Sequence, residues 1–465
     1  MSDLHLELDS QLGRRAALET ALRQAIGSGQ LHGDAKLPSS RALASELGVS
    51  RATVVAAYEQ LVAEGFLVAQ HGSATRVNAV HVPTSPSADT NLMGEPPRYD
   101  FRPGEPSSDA FPRQLWMRSV RRVMAEAPDD VFGYADPRGR VELRTVLASH
   151  LGRTRSVITE PAGVTVVSGV ASALGFLGEM FVRGHTGRIA VEDPMLFLHR
   201  HILQSVGLTV VPIRVDDQGI VTDDLADVEV DAVLVTPAHQ HPVGTTLSAT
   251  RRNELVAWAR ETDTWIIEDD YDGEFRYDRR PIGALQALAP DRVIYAGTAS
   301  KTLAPGLRIA WLVVPPALRQ EVLGTIFIRG GVSSIDQLAL ADFITTGALD
   351  RHLRTMRARY RDRREVLADL LDAIDWLEIV DHPAGLHLTA RILDPSVSES
   401  QLVAEAESQS IGLMGLGVCH LDRANPSHRG LIIGFSRPAE HRFRSGVEAL
   451  LMLLQSAKPA RVGTR

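Results

Sequence analysis

Five short segments carry side chains able to do chemistry, and each follows a run of strand-like apolar residues. They are SGVAS from Ser168, EDP from Glu192, TPAHQHPVG from Thr236, EDDYDGEFRY from Glu268 and GTASKTLAPGLR from Gly297. A lysine that follows a strand and a small-residue turn, as Lys301 does, offers an amine able to attack a carbonyl. A buried carboxylate can hold a cation, and a helix that opens directly after a strand offers backbone N–H groups to a phosphate. Taken singly, each segment has an ordinary reading: an acidic pair closes a turn, and a Ser-Lys pair sits solvated at a surface. Their shared placement gives them weight, because in parallel α/β sheets ligands collect at the carboxyl ends of strands.

The elements that would position them are legible as pattern. VTVVSG, GRIAVEDP, LTVVPI, VDAVLVTP, TWIIEDD, RVIYAG and IAWLVV alternate with helical stretches between roughly residues 155 and 320, which predicts a large, mostly parallel sheet with helices on both faces. Roughly 345–455 reads as long helices around short strands such as GLHLTARI and RGLIIGFS, a smaller α/β domain. The basic run from Arg351, RHLRTMRARYRDRREVL, reads as an amphipathic helix with Leu353, Met356, Tyr360 and Val366 toward the core and its arginines wetted or paired; a second DNA-binding surface is the alternative.

The amino-terminal part follows a different plan. Leu12, Ala16, Leu18, Leu22 and Ile26 recur at helical spacing. Ser39 or Ser40 can cap a helix over 41–47, Gly48 turns the chain, and Ser50 can cap a second helix over 51–63. Two short strands follow around His71, Gly72 and Ser73, a wing closed by about residue 80. Residues 81–98 are rich in proline and lack apolar periodicity, as a linker does.

At 465 residues, 44% hydrophobic and 23% charged, the chain is expected to form two or more domains of ordinary soluble composition. A leader and a membrane-spanning run are not expected, so the expected location is cytoplasmic. One cysteine, Cys419, supplies neither a disulfide nor a structural metal site, and no metal is expected. The net charge of −8 exerts no general pull on nucleic acid. Residues 1–80 hold seven Arg/Lys against eight Asp/Glu, so DNA contacts would have to come from groups placed by the fold.

From residue 101 onward the chain resembles the fold type I aminotransferases, on GYADPRG with LR at 143, EDDYDGEFRY and SKTLAPGLR. Residues 31–76, LPSSRALA with LGVSRATVVAAYEQLVAEG, resemble the GntR type of winged helix. In this order on one chain they resemble the MocR-like, GabR-type regulators. The implied fold is multidomain: a winged helix-turn-helix over 1–80, a linker over 81–98 and a pyridoxal-phosphate-binding aminotransferase-like domain over 99–465. The large subdomain would span about 155–340, the small one about 99–154 and 341–465.

The resemblance implies a role for each site residue. Lys301 would bond the aldehyde of pyridoxal 5'-phosphate, Asp269 would face the pyridine nitrogen, and Tyr271 would donate to the ring's phenolic oxygen. Asp270 and Asp272 point the other way on an extended chain and are expected to be structural. Ser168, Gly169, Val170 and Ala171 would form the phosphate cup, completed by Thr298, Ser300 and Arg308. Tyr134 would reach the cofactor of a second subunit, making a homodimer.

Three positions depart from the family. Leu196 stands where an aromatic residue usually stacks on the ring. His241 stands where Asn is usual; it either stacks or bonds the ring oxygen, or His239 or Gln240 acts from behind. Ile432 stands where catalytic members carry a carboxylate-binding arginine, leaving Arg429 and Arg437 as effector candidates. Ser50, Arg51, Ala52 and Thr53 would face base edges, Ser39, Ser40 and Arg41 the phosphates, and Arg76 the minor groove. The expected function is a pyridoxal-phosphate-bound regulator that binds a double-stranded operator near its own gene. It would sense a small amine, an amino acid or the cofactor itself, with weak or no steady-state transamination. The alternatives are a working aminotransferase with a fused winged helix and a DNA-binding protein that has lost the cofactor.

Overall fold

A computed structural model of the chain describes residues 6, 8–9, 11–69, 74–78, 95–184, 186–278, 282–327, 331–380, 383–422 and 429–457. The chain divides into two compact units, Met1–Glu95 and Pro96–Arg465. The expected wing tip at His71, Gly72 and Ser73, and most of the expected linker, lie outside the described residues.

The first unit contains α1 (Arg14–Gly27), α2 (Ser40–Leu47), α3 (Arg51–Ala63) and an antiparallel pair, β1 (Leu67–Val68) with β2 (Arg76–Val77). Ser39 Oγ accepts the Ala42 N–H at the head of α2, and Ser50 Oγ accepts the Thr53 N–H at the head of α3. Each such cap contributes about 1 kcal/mol. Between them Gly48 closes α2 with φ +63°, a conformation that costs glycine nothing. Leu18, Leu22, Leu43, Val54, Leu61 and Leu67 form the core. Leu12 and Ala16 are exposed, unlike the sequence expectation. The helix starts after Leu12, and its buried stripe runs through Ala17, Ala21 and Ala25 beside the leucines.

The second unit begins with β3 (Tyr99–Asp100), α4 (Arg113–Glu126) and α5 (Val141–Arg155). Next come β4 (Val164–Val167), α6 (Val170–Gly184), β5 (Arg188–Asp193), α7 (Phe197–Ser205), β6 (Thr209–Asp216), β7 (Gly219–Ile220), β8 (Ala232–Val235), α8 (Ala249–Glu261), β9 (Trp265–Asp270), β10 (Val293–Thr298) and β11 (Ala310–Val313). The sheet order is β4-β11-β10-β9-β8-β5-β6-β7. Neighbours from β10 through β6 are parallel, whereas β11 runs antiparallel to both β10 and β4. Residues 299–309 join β10 to β11, too short a span for the crossover that a parallel return needs. That connection therefore folds over the end of β10, and it carries Lys301 and Arg308. The carboxyl ends of β4, β5, β8, β9 and β10 all point to the same edge.

The chain then forms α9 (Arg319–Ile326), α10 (Ser334–Thr345), α11 (Ala348–Asp372), β12 (Leu377–Val380), β13 (His387–Ile392), α12 (Glu399–Ser408), β14 (Ile411–Gly412), β15 (Met414–Gly415), β16 (Gly430–Gly434) and α13 (Glu440–Ser456). An antiparallel sheet of order β12-β13-β16-β15 forms the smaller layer. On α11, Leu353, Met356 and Tyr360 are buried, but Val366 is 49% exposed. The buried stripe passes through Arg363, Arg364 and Leu367 instead. Arg363 donates to the carbonyls of Phe435 and Pro438 and to Glu440, pinning the turn into α13.

Candidate functional site

The strand ends enclose a cavity of about 370 Å³ lined by Gly169, Val170, Ala171, Leu196, His199, His241, Asp269, Tyr271, Thr298, Ser300, Lys301 and Arg308. Pro103, Gly104, Glu105 and Met414 close it from the side of the smaller layer. Most of the cavity residues named from sequence are thus brought together, whereas Ser168 does not line the cavity.

Asp269 and Asp270 end β9 with opposite duties, because successive side chains of a strand point to opposite faces. Asp270 receives Arg155 Nε at 2.6 Å and Nη2 at 2.9 Å, and the Tyr295 hydroxyl at 2.7 Å, all behind the sheet. Asp269 faces the cavity, and its buried Oδ1 has no hydrogen-bond partner. Burial pushes its carboxyl up to about 7, against the pull of Lys301. An acid oxygen left this way is costly unless a ligand donates to it.

Lys301 Nζ reaches the Gly104 carbonyl, and burial lowers its affinity for a proton. A lysine so desolvated is a better nucleophile than one in water. His199, which sequence reasoning missed, stands 3.7 Å from Asp269 through Nδ1, and burial holds it down at about 4. Burial likewise keeps His241 well below its ordinary value. These imidazoles are neutral near pH 7.

Gly169, at φ +112°, bares its backbone beneath Arg308: a Cβ there would meet Nη2 at 3.3 Å. Directly after it α6 starts, and the first N–H groups of a helix have no partner within it. The Thr298 hydroxyl lies 3.0 Å from that of Ser300 and accepts the Ser300 N–H at 3.1 Å. Backbone donors, two hydroxyls and a guanidinium therefore converge on one corner, a phosphate-binding arrangement.

Other sequence candidates lie elsewhere. Arg429 donates to the Val397 carbonyl at 3.4 Å and does not line the cavity. Arg437 is engaged by Asp100 at 2.9 Å and by the wall residue Glu105 at 3.3 Å and does not itself line the cavity, although its charge is felt at Lys301. Ile432 is fully buried beside Leu416, Cys419 and Met414. Tyr134 stands in solvent, 109% exposed. Of the three residues weighed at the 239–241 loop, His241 reaches the cavity. Gln240 holds the Pro194 and His241 carbonyls at 2.8 and 2.9 Å, and His239 lies behind Tyr271, 3.0 Å from its hydroxyl.

Glu105 and Met414 were also missed, since nothing local marks residues that arrive from a distant sheet. The segment after Met414 is tied to the wall at three points. The Met195 N–H donates to the Cys419 carbonyl, the Leu421 N–H to Asp193 Oδ1 and Arg200 to the His420 carbonyl.

In the first unit Arg51 and Ala52 are exposed at the head of α3, Ser39 and Arg41 are exposed at α2, and Ser40 and Thr53 are partly covered. The Ser39 and Ser50 oxygens accept backbone N–H groups as caps. Arg76 donates to the Asp34 carbonyl at 2.8 Å. Among the described residues no helix is long and apolar enough to cross a membrane.

Residues 14–77 match the model of the bacterial regulatory proteins of the gntR family, and residues 103–407 match aminotransferase class I and II. The chain is 34% identical over 472 residues to the probable rhizopine catabolism regulatory protein MocR of Rhizobium meliloti, covering 96% of this chain and 95% of that protein. It is 32% identical over 433 residues to the HTH-type pyridoxine biosynthesis transcriptional regulator PdxR of Corynebacterium glutamicum, covering 92% and 93%. Among solved structures, kynurenine aminotransferase of Pyrococcus horikoshii shares the fold at a TM-score of 0.71 and 22% identity, over 79% of this chain and 93% of that one. With a GntR-type winged helix ahead of a fold type I aminotransferase-like domain, and with such relatives along nearly its whole length, the chain belongs to the MocR-like family of HTH-type transcriptional regulators.

Proposed function

We propose that this protein is a pyridoxal-phosphate-bound regulator that binds double-stranded DNA as a homodimer and answers to a small amine, an amino acid or the cofactor itself. The observation that carries the cofactor is the convergence of an unpartnered Asp269 oxygen, a bare Gly169 under Arg308, and Lys301 on one cavity. When bound, the cofactor supplies a reactive aldehyde and an electron-withdrawing ring. Lys301 would hold it covalently, Asp269 would keep the proton on its ring nitrogen, and the α6 head with Thr298, Ser300 and Arg308 would bind its phosphate. His199, neutral beside Asp269, would orient that carboxylate without neutralising it.

Two positions favour sensing over turnover. Leu196 offers an aliphatic wall where an aromatic face would clamp the ring, and Ile432 is sealed in the core where a guanidinium would orient a substrate carboxylate. Turnover demands a reacting group held close to its attack geometry, whereas a sensor needs only different affinities in its two states. Tyr134, with Phe132 64% exposed nearby, supports a second copy covering this face.

The test combines three measurements on the full chain. Borohydride reduction and peptide mapping should place the pyridoxyl group on Lys301. Adding amines should change both the visible spectrum and affinity for the gene's own upstream DNA. Turnover with amino and keto acids should fall orders of magnitude below the enzyme-typical range of about 1 to 10³ per second. Turnover within that range makes the protein an aminotransferase first, and a pyridoxyl group on another lysine refutes the site.

A further inference from the structure

Behind the cavity lies a pair of side chains to which the site just described gives no task. His239 Nδ1 is 2.9 Å from Asp272 Oδ2 and 3.0 Å from the Tyr271 hydroxyl, and both His239 and Asp272 are almost wholly buried. A carboxylate accepts hydrogen bonds and donates none, so the nitrogen facing Asp272 has to carry the hydrogen. The same N–H then points at the Tyr271 oxygen, which becomes its acceptor. A phenol that accepts from the imidazole keeps its own hydrogen, for which Asp272, also facing the hydroxyl, and the cavity on the other side compete. Asp272 is already engaged by the His239 N–H, and a ligand oxygen in the cavity takes the hydrogen. With the hydrogen on Nε2 instead, Tyr271 would donate backwards to Nδ1 and present only lone pairs to a ligand.

The ring has little freedom to leave this arrangement. Gly385, at φ +79°, packs so closely against it that a Cβ would fall 1.9 Å from His239 Cε1. Gly385 is itself fixed, its N–H donating to the Phe275 carbonyl at 2.8 Å and its carbonyl accepting from the Tyr277 hydroxyl at 2.7 Å. The His387 ring lies 5.0 Å from that of His239. The stretch after β9 and the turn into β13 thus hold in place an imidazole carried by the stretch after β8.

We propose that Asp272 and His239 are positioning residues that fix the histidine tautomer and thereby leave the Tyr271 hydroxyl free to donate into the cavity, onto the ring oxygen of the bound cofactor. This inference rests on the pyridoxal-phosphate reading above. It gives Asp272 a function where sequence alone assigned structure, and it sets His239 apart from His241, which touches the cavity itself.

The consequence is electrostatic. In the cofactor-loaded chain a donor on the ring oxygen would draw negative charge away from the linkage to Lys301, and losing that donor would let the linkage hold its proton more tightly, moving the pH midpoint of the visible absorbance change up. The titratable groups facing Tyr271 are Asp269, Asp272 and Glu192, with Lys301 across the cavity and His239, His241 and His387 around it.

The experiment titrates the cofactor-loaded full chain by absorbance. Tyr271→Phe and His239→Gln should each raise the midpoint by about 1 pH unit, the size of one charge-assisted hydrogen bond, and the double variant should go no higher than Tyr271→Phe. His239→Asn, which returns an N–H near the Nδ1 position, should restore the midpoint. Asp272→Asn provides an independent reading by its sign. Removing a negative charge alone would lower the midpoint, whereas freeing the tautomer raises it. An unmoved or lowered midpoint in either His239→Gln or Asp272→Asn, or additivity in the double variant, overturns the proposal. A wild-type chain with no visible cofactor band overturns the pyridoxal-phosphate reading instead.

Discussion

Arg308 lies across Gly169 with its Nη2 only 3.3 Å from where a Cβ would stand. The contact joins two distant parts of the sequence, the turn that opens α6 and the end of the β10–β11 connection, at the corner assigned to the phosphate. Arg308 itself sits at φ +52°, a conformation unusual for a residue with a side chain, which aims the guanidinium inward.

Gly169→Ala should therefore weaken the cofactor on two counts: a left-handed backbone costs a non-glycine residue about 1 to 2 kcal/mol, and the new methyl displaces Arg308. The expected result is at least about a tenfold loss of pyridoxal-phosphate affinity by fluorescence titration, with the melting temperature of the cofactor-free chain much less affected. Unchanged affinity would remove Gly169 from the cup.

The buried carboxyl of Asp269 sets a pH dependence. Its value in the folded, cofactor-free chain is raised to about 7, above the usual range near 3.9. The protonated form is thus favoured inside, and this stabilising term is lost as pH rises through 7. A ring nitrogen that carries a proton needs the opposite state, the carboxylate, so cofactor affinity should rise with pH up to about 7. Asp269→Asn should bind more weakly and lose that rise, retaining only the inflection of the phosphate near pH 6. Parallel titrations between pH 5.5 and 8 check this, and identical profiles would contradict it.

Asp270→Asn bears on stability. Arg155 is held by both oxygens of Asp270 in a site that leaves the pair almost no exposure. Removing one partner of a buried pair strands the other charge, at about 3 to 5 kcal/mol. The second unit should unfold at distinctly lower urea. A change below about 1 kcal/mol would mean that the Gly273 and Ile282 carbonyls, which Arg155 also reaches, suffice to hold the cation.

In the first unit, Ser50→Ala removes the cap of α3 and should lower stability by about 0.5 to 2 kcal/mol. Arg51→Ala, at an exposed position, should leave stability alone and weaken operator binding by about 1 to 3 kcal/mol if it reads a base edge. Calorimetry and fluorescence anisotropy separate the two variants, and unchanged operator affinity in Arg51→Ala removes the head of α3 from the groove.

The contrast between these residues shows what a single sequence reveals. Ser39, Ser50, Gly48, Gly169 and Lys301 could be read because their roles are local: each acts on a turn or helix end within a few residues. Alternation along β9 likewise separated Asp269 from Asp270. Glu105 and Met414 could not be read, because they reach the cavity from other layers, and no local pattern records which sheet edge will face which. His199, in the first turn of α7 just past the EDP segment, was near at hand, but a lone histidine on a helix carries no signal of its own. The errors at Ala16 and Val366 have a different source. Alanine is compatible with either face of a helix, and a stripe packed against a broad core drifts, so Leu367 displaced Val366 while arginine aliphatic stems took the neighbouring positions.

The three ties from Met195, Leu421 and Arg200 also bear on Cys419. This thiol, the only one in the chain, is fully buried, and its own carbonyl is one of the anchors to the cavity wall. A thiol reagent can reach it only when the packing around it opens, so the rate of labelling under native conditions is a clock for local opening beside the cavity wall, readable without any substitution or attached dye.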